Sequence, residues 1–290
     1  MTWINDVIQG VFLGGYYALL AAGLALMFGL MRIINLAHGD IAVLGAYLIM
    51  VVLDHWNVSP FVGLLPVLPI MLALGYLLQR TVLDRSLRSG VLVPLLATFG
   101  LSIVIQNVLL KKFSPDVRSL GGQAGTIATS SWRITSEISI PWIGVAAVGT
   151  AAAILGGLQL FLSRTQQGRR MRATAQDPDT AELVGIDSRN VYAWGTAMAV
   201  AIAAVAGLFL AVRSTFDPYA GPTQLLFAFE AVVIGGMGSL WGTLAGGIVL
   251  GVAQTIGAQI EPQYSILAGD LVFLVVLASP RGGLIRARWA

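Results

Sequence analysis

Long apolar runs without charged residues dominate this 290-residue chain. Only 11% of its residues are charged and 57% are hydrophobic, whereas soluble domains carry roughly 25% charged residues. About 20 consecutive apolar residues are enough to cross a bilayer as a helix. Five runs reach that length on their own: 7–31, 56–79, 89–110, 138–163 and 190–212. We therefore expect an all-α fold, a polytopic helical membrane protein.

Three further regions are apolar but irregular: 41–53, 218–260 and 263–279. The first is too short to span unless its helix begins upstream, near Leu36. The other two hold enough spans only if Glu230 and Asp270 lie inside helices. The total is about eight to nine transmembrane segments, two of which are short enough to be broken or re-entrant helices. All belong to a single transmembrane domain, 1–290.

The distribution of basic residues predicts the orientation in the membrane. The segments 80–88, 164–189 and 281–288, together with Arg32, hold 12 of the 17 Lys and Arg residues. By the positive-inside rule these lie in the cytoplasm, which places the N-terminus outside and the C-terminus inside. Topology thus explains the net charge of +3, and we expect membrane lipid but no nucleic acid as a partner. The absence of Cys excludes disulfides and cysteine metal sites.

Two loops are long. The outer loop, 111–137, leads into a stretch where Trp132, Ile134, Ile138 and Ile140 partly alternate with polar residues. Such alternation favours a small strand or hairpin resting on the outer surface.

The inner loop, 164–189, contains the sequence "GRRMRATAQDPDTAELVGIDSRN". Asp177 suits an N-cap, and Pro178 suits the first helical position, where a missing N–H costs nothing. Asp179 and Glu182 favour the positive end of the helix dipole. Gly185 suits the residue that ends a helix. The pattern predicts a short, capped helix of about two turns on the cytoplasmic face.

Two interpretations of this helix stand side by side. Short surface helices are most often plain connectors. Ordinary connections between helices, however, have about 2–8 residues, and the loop 164–189 is much longer. A rigid cytoplasmic helix between two spans is also what a partner protein would grip to move those spans. Arg172 and Leu183 would then belong to the gripped surface.

Three sequence blocks resemble the branched-chain amino-acid permeases of ABC importers, the LivH-like subunits of the wider branched-chain amino-acid/ribose class. The blocks are "GLMRIINLAHGDIAVLGAY" (29–47), "GRRMRATAQDPDTAELVGI" (168–186) and "VIGGMGSLWGTLAGG" (233–247), and they fall in family order. The resemblance implies a bacterial inner-membrane subunit paired with a second permease, as a heterodimer, with ABC ATP-binding subunits and with a periplasmic solute-binding protein. It makes leucine, isoleucine and valine the expected cargo, although relatives carry urea and amides. It also makes 164–189 the ATPase-coupling loop.

The polar run "RIINLAHGD", 32–40, has two interpretations. It fits an interfacial turn in which Asn35 caps the next helix and Asp40 lies in the first turn. It also fits a substrate pathway, which the resemblance places beside Asn35, His38 and Gly39. As metal ligands, His38 and Asp40 would need further partners. The only other histidine, His55, lies near the opposite face, so we expect no metal site.

Glu230 and Asp270 are costly inside a bilayer, at about 2.5–3.5 kcal/mol or more for a central charge. They either line a polar path or form hydrogen bonds between neighbouring helices, and the sequence leaves both open. Gln106 and Asn107 are expected to make helix-to-helix hydrogen bonds.

Gly238, Gly242 and Gly246 recur every four residues, which predicts one small-residue helix face for close packing. They form no phosphate loop, since that motif needs Gly-Lys-Ser/Thr and the only lysines are Lys111 and Lys112. The chain is thus expected to have no catalytic residues, no cofactor and no ATPase site of its own. The alternatives are a stand-alone secondary transporter or channel, and, less favoured, an intramembrane enzyme.

Overall fold

The computed structural model describes residues 2–87, 89–90, 92–133 and 138–279. Its α-helices, in chain order, are α1 (Thr2–Met31), α2 (His38–Trp56), α3 (Pro60–Leu78), α4 (Asp84–Leu87), α5 (Leu92–Phe113), α6 (Thr126–Thr129), α7 (Trp142–Arg164), α8 (Gln166–Gln176), α9 (Pro178–Leu183), α10 (Ser188–Arg213), α11 (Gly221–Gly235), α12 (Leu240–Ile260) and α13 (Tyr264–Ala278). A π-helical turn, Gln79–Leu83, joins α3 to α4, and a 3-10 turn covers Gly121–Ala124. Two short strands are β1 (Ser131–Arg133) and β2 (Ser139–Pro141).

Within the described residues, seven helices are long and apolar enough to cross a membrane. The helices α11 and α13 are apolar but have only 15 residues each. The expected all-α polytopic fold is confirmed, and so are the two short segments. Glu230 and Asp270 do lie inside these two helices, as spanning requires.

The centre of the bundle is formed by α1 and α10. Both are buried on nearly all sides, whereas α3, α5 and α7 leave most of their surface exposed. Alanine and glycine recur along α10, so neighbouring backbones can approach it closely. For example, a Cβ added to Gly207 of α10 would overlap the carbonyl oxygen of Ala42 in α2.

The glycines of α12 serve two different contacts. Gly242 and Gly246 lie against the end of α11, where an added Cβ would overlap the backbone of Gly235. Gly247 lies on another side of the helix and meets the backbone of Gly14 in α1. Small residues therefore let α12 pack between α11 and α1.

Gly238 differs from the expectation for this stretch. It precedes the first residue of α12, Leu240, and has a φ of 85° in the turn after α11. A residue with positive φ is most easily glycine. Gly238 thus shapes the turn and is not part of the helix face that Gly242 and Gly246 share. The four-residue spacing of the glycines wrongly predicted one continuous helix face, because α12 begins only at Leu240, after Gly238.

The outer loop forms the expected hairpin. Strands β1 and β2 pair antiparallel, with Trp132 opposite Ile140, while Ile134 lies outside the described residues. The hairpin is tied to the start of α1, since the side chain of Gln9 donates to the carbonyl oxygen of Ser139 at 2.6 Å. The predicted hairpin is confirmed.

The polar run 32–40 folds back into the bundle. The ring Nε2 of His38, the first residue of α2, lies 3.0 Å from the carbonyl oxygen of Leu20 in α1. Because α1 continues to Met31, α2 begins roughly 10–16 Å short of the end of α1. We call residues 32–40 the re-entrant run, because they turn back alongside α1; Asp40 lies in the first turn of α2, as the sequence predicts.

Candidate functional site

Two places carry polar residues with defined roles: the inner loop, 164–189, and the buried start of α2. In the inner loop, Asp177 caps α9 as the sequence predicts. Its Oδ1 accepts from the backbone N–H groups of Asp179 and Thr180 at 3.1 and 3.2 Å, and its Oδ2 accepts from the Thr180 hydroxyl at 2.6 Å. These hydrogen bonds, that of the Thr180 hydroxyl first, lower the pKa of the Asp177 carboxyl because they favour its charged form.

The other end of α9 closes on Gly185. Its φ of 83° is in the left-handed region, and the N–H of Ile186 bonds back to the carbonyl oxygen of Ala181 at 3.1 Å. Pro178 occupies the first turn, and its carbonyl oxygen accepts from the hydroxyl of Ser188 in α10 at 3.2 Å. Both ends of this six-residue helix are thus fixed, and α9 is attached directly to α10.

The tip of α9 is apolar and open to water. Leu183 is 87% exposed and Val184 is 74% exposed, and Asp179 and Glu182 are exposed beside them. The opposite side is anchored, since Ala181 is buried. A plain connecting loop does not require two large aliphatic side chains, Leu183 and Val184, to be exposed at a fixed position. Their exposure favours a surface that a partner protein covers.

The helix α8 precedes this tip and carries the basic residues. Arg169 and Arg170 are exposed, while Met171 is buried against the bundle. Arg172 is half-buried, and its Nε has no hydrogen-bond partner within the described part of the chain. The basic residues therefore surround the base of α9, and α8 links that base to the bundle.

The second place is a buried carboxylate network at the start of α2. Asp40 is buried, and its two carboxylate oxygens accept from Ser102 at 2.6 Å and from Gln106 at 2.9 Å, both in α5. Gly221, the first residue of α11, lies so close that an added Cβ would overlap Asp40. Asp40 thus holds three helices together, a role that its first-turn position alone did not reveal.

Gln106 makes the helix-to-helix hydrogen bond that the sequence predicts. The same prediction for Asn107 is wrong, because its side chain donates to the carbonyl oxygen of Ile103 in its own helix and is exposed. One residue of offset turns Asn107 away from α2, so adjacent polar residues on one helix take different roles.

Asn35, His38 and Gly39 are all buried. The side chain of Asn35 accepts from the N–H of Ala37 at 3.0 Å in the turn before α2. The N-cap of α2 is Ala37, so the prediction that Asn35 caps this helix is wrong. His38 fits against Gly23 of α1, and a side chain on Gly39 would overlap the carbonyl oxygen of Gly221. These three residues position the start of α2 between α1 and α11.

Glu230 in α11 and Asp270 in α13 face each other. Glu230 is buried, its carboxyl interacts with that of Asp270, and its Oε2 has no hydrogen bond to any described residue. Two carboxyl groups can share a hydrogen bond only when one of them carries a proton. The pair joins the two short helices.

Other polar contacts within the bundle were not singled out in the sequence. Tyr17 of α1 donates to Gln254 of α12 at 2.5 Å, and Tyr16 donates to Gln224 of α11 at 2.6 Å. The only sequence signal for them is the presence of tyrosine and glutamine inside apolar helices, and it does not identify the partners.

An apolar cavity of about 280 Å³ opens between the re-entrant run, α5 and the start of α11. This volume is close to the lower limit of small-molecule sites, about 300 Å³. Neither Asn35 nor His38 reaches its wall, but Leu36 between them does. The lining side chains are aliphatic or aromatic: Ile34, Leu36, Leu95, Pro222, Leu225, Leu226 and Phe229.

A helical bundle with a re-entrant run, two short helices and a cavity beside them is the architecture of a polytopic membrane permease. The chain belongs to the family described as "Branched-chain amino acid transport system / permease component", whose profile matches residues 7–278. This confirms the family that the three sequence blocks indicated.

Individual proteins similar to this chain are also permease proteins of branched-chain amino acid transport. The chain is 32% identical to the high-affinity branched-chain amino acid transport system permease protein BraD of Pseudomonas aeruginosa, over 98% of this chain and 96% of that protein. It is 33% identical to the permease protein LivH of Salmonella typhimurium, with the same coverage. It is 26% identical to the permease protein LivM of Escherichia coli, over 94% of this chain and 68% of that one.

Proposed function

We propose that this chain is the permease subunit of an ABC importer that moves branched-chain or other small amino acids across the bacterial inner membrane. The observation that carries the proposal is the family membership over 7–278, together with an anchored α9 whose apolar tip is exposed. The family membership indicates the class of transport. The exposed tip of α9 offers a surface that an ATP-binding subunit can contact and move.

The energy for transport comes from separate ATP-binding subunits. The sequence lacks the Gly-Lys-Ser/Thr of a phosphate loop. An ATP-binding subunit would cover Leu183 and Val184 and contact the charged residues beside them, Asp179 and Glu182. Because α9 is bonded to α10 through Ser188, and α10 lies at the centre of the bundle, a displacement of α9 reaches the core directly.

The solute passes along the face formed by α5, α11 and the re-entrant run. The apolar cavity there suits an aliphatic side chain, and Asp40 and the start of α11 lie close behind it. Asn35, His38 and Gly39 hold the wall of this path in position. Glu230 stands farther along α11 and faces Asp270 of α13, and this pair sets how α11 can move relative to α13.

The subunit works with a second permease and with a solute-binding protein. LivH and LivM are both named as permease proteins of branched-chain amino acid transport, and the chain is similar to each, which favours pairing of two related permeases. The solute-binding protein would dock on the outer side, against the hairpin of β1 and β2.

Reconstitution tests this function. The chain is incorporated into proteoliposomes with its ATP-binding subunits, paired permease and binding protein, and uptake of labelled leucine is measured with and without ATP. We expect uptake only with the complete set. The Leu183→Glu variant should lose both co-purification of the ATP-binding subunit and uptake, because it places a charge in the covered surface.

The matched control is Val117→Glu, which makes the same kind of change at a 61% exposed residue of the outer loop. It should retain co-purification of the ATP-binding subunit, because the outer loop lies on the opposite side from α9. Accumulation of leucine against a gradient by the chain alone would contradict the proposal and favour a stand-alone transporter. Normal transport by Leu183→Glu would contradict the role of α9.

A further inference from the structure

A second cavity lies outside the proposed path, on the arginine-rich side of the bundle. It has a volume of about 450 Å³ and opens between the end of α7, the helix α8 and the first turns of α10. Its walls include residues 185–187, the connection from α9 to α10. We call it the interfacial cleft.

The interfacial cleft is apolar at depth and polar at its mouth. Along α10 it is lined by Asn190, then Trp194, then Met198, which lies about 12 Å deeper than Asn190 at 1.5 Å per residue. Phe161 from the last turn of α7 faces the apolar part. Trp194 is 51% exposed and stacks edge-on against Tyr76 at 5.6 Å between ring centroids. Tryptophan is enriched at membrane–water interfaces, which fits its place beside the mouth of the cleft.

The mouth carries a positive charge, Arg170, that has no partner among the residues that the structure describes. Gln167, Arg170 and Met171 share one face of α8 and line the cleft. Arg170 is exposed, and among the described residues no ion pair or hydrogen bond engages its guanidinium. The acid at the mouth, Asp187, caps α10, where its Oδ1 accepts from the N–H of Asn190 at 3.2 Å.

We propose that the interfacial cleft binds an anionic phospholipid of the cytoplasmic leaflet. The lipid phosphate pairs with Arg170, whose planar guanidinium suits a phosphate group. The amide of Gln167 lies beside it as a second donor. One acyl chain runs inward along Trp194, Met198 and Phe161, where a soluble phosphate would leave the apolar walls in contact with water. Basic pockets between helices on the cytoplasmic side are a recurrent form of headgroup recognition.

This site is independent of the proposed transport function, but it touches the same element. Residues 185–187 form part of the cleft wall and connect the C-terminal end of α9 to α10. A lipid seated there braces this connection between α8 and α10.

Native mass spectrometry of the purified full-length chain, titrated with phosphatidylglycerol or phosphatidylcholine, tests the proposal. We expect one phosphatidylglycerol molecule to bind with at least about fivefold preference over phosphatidylcholine. Arg170→Ala should remove this preference. The control is Arg169→Ala, which removes the same charge from the neighbouring exposed residue that does not line the cleft, and it should leave the preference unchanged.

A second variant keeps the test valid if Arg170→Ala alters folding. Met198→Trp fills the apolar half of the cleft and should reduce phosphatidylglycerol binding about tenfold with Arg170 intact. Added inorganic phosphate should not displace the lipid, because it lacks the acyl chain. Equal effects of Arg170→Ala and Arg169→Ala, equal binding of the two lipids, or displacement by inorganic phosphate would each overturn the proposal.

Discussion

The inner loop and the re-entrant run are both polar stretches between apolar helices, but they are held in opposite ways. In the inner loop the bonds are local, since Asp177 contacts residues two and three positions away. In the re-entrant run they are distant: Asp40 bonds to Ser102 and Gln106, 62 and 66 positions away. Because its cap is local, α9 can form without the rest of the bundle. The start of α2 depends on contacts with other helices and is therefore part of the core.

The largest effect should come from Gly39, where the re-entrant run meets the backbone of α11. In Gly39→Val the side chain would overlap the carbonyl oxygen of Gly221, and backbone cannot move aside as a flexible side chain can. We expect a loss of about 3 kcal/mol or more of stability, measured as thermal unfolding in detergent. Gly100→Val is the control, because nothing lies within 4 Å of a Cβ on Gly100. Equal unfolding temperatures for both variants would mean that α2 and α11 do not meet as described.

Asp40 should give the next largest effect. In Asp40→Leu the buried hydroxyl of Ser102 loses its acceptor and the amide of Gln106 keeps only the Ser102 oxygen, at 3.1 Å, which costs about 1–3 kcal/mol. Asp40→Asn keeps one acceptor oxygen and should lose less. The control is Asn107→Ala, whose side chain bonds only within its own helix and is exposed, so it should change stability little. If Asp40→Leu unfolds no earlier than Asn107→Ala, the carboxylate network does not hold α5.

The smallest effect on global stability should come from Asp177. Asp177→Ala removes the cap of α9 and should speed hydrogen exchange in 178–185 without lowering the unfolding temperature, since the bonds it breaks are local. Asp177→Asn can still cap and should exchange more slowly than Asp177→Ala.

The effect of pH on this cap has a definite sign. Because the pKa of Asp177 is lowered in the folded state, its contribution is complete above the ordinary value, about 3.9, and is lost as pH falls through the lowered value. Protection of α9 from exchange, relative to the intrinsic rate at each pH, should therefore fall on acidification in the wild type and stay flat in Asp177→Ala. Parallel pH profiles for the two proteins would contradict the cap.

The same contrast explains what the sequence predicts well. The spans, the outer hairpin and both ends of α9 depend on residues a few positions apart, and they were all predicted correctly. The site at the start of α2 depends on packing: no pattern in 32–40 shows that Asp40 meets Gln106, or that Asn107 turns outward. The prediction that Gly238 shares a helix face with Gly242 and Gly246 was wrong for a related reason, because a regular spacing does not show where a helix begins.

The central claim is that force enters this subunit at the tip of α9, and labelling of Leu183 tests it most directly. The chain has no Cys, so Leu183→Cys provides a unique thiol, with Asp116→Cys of the outer loop as the control for sidedness. We expect a membrane-impermeant maleimide to label Leu183→Cys only from the cytoplasmic side, and the ATP-binding subunit to protect it. Labelling from the outer side, or an equal labelling rate with and without that subunit, would contradict the account.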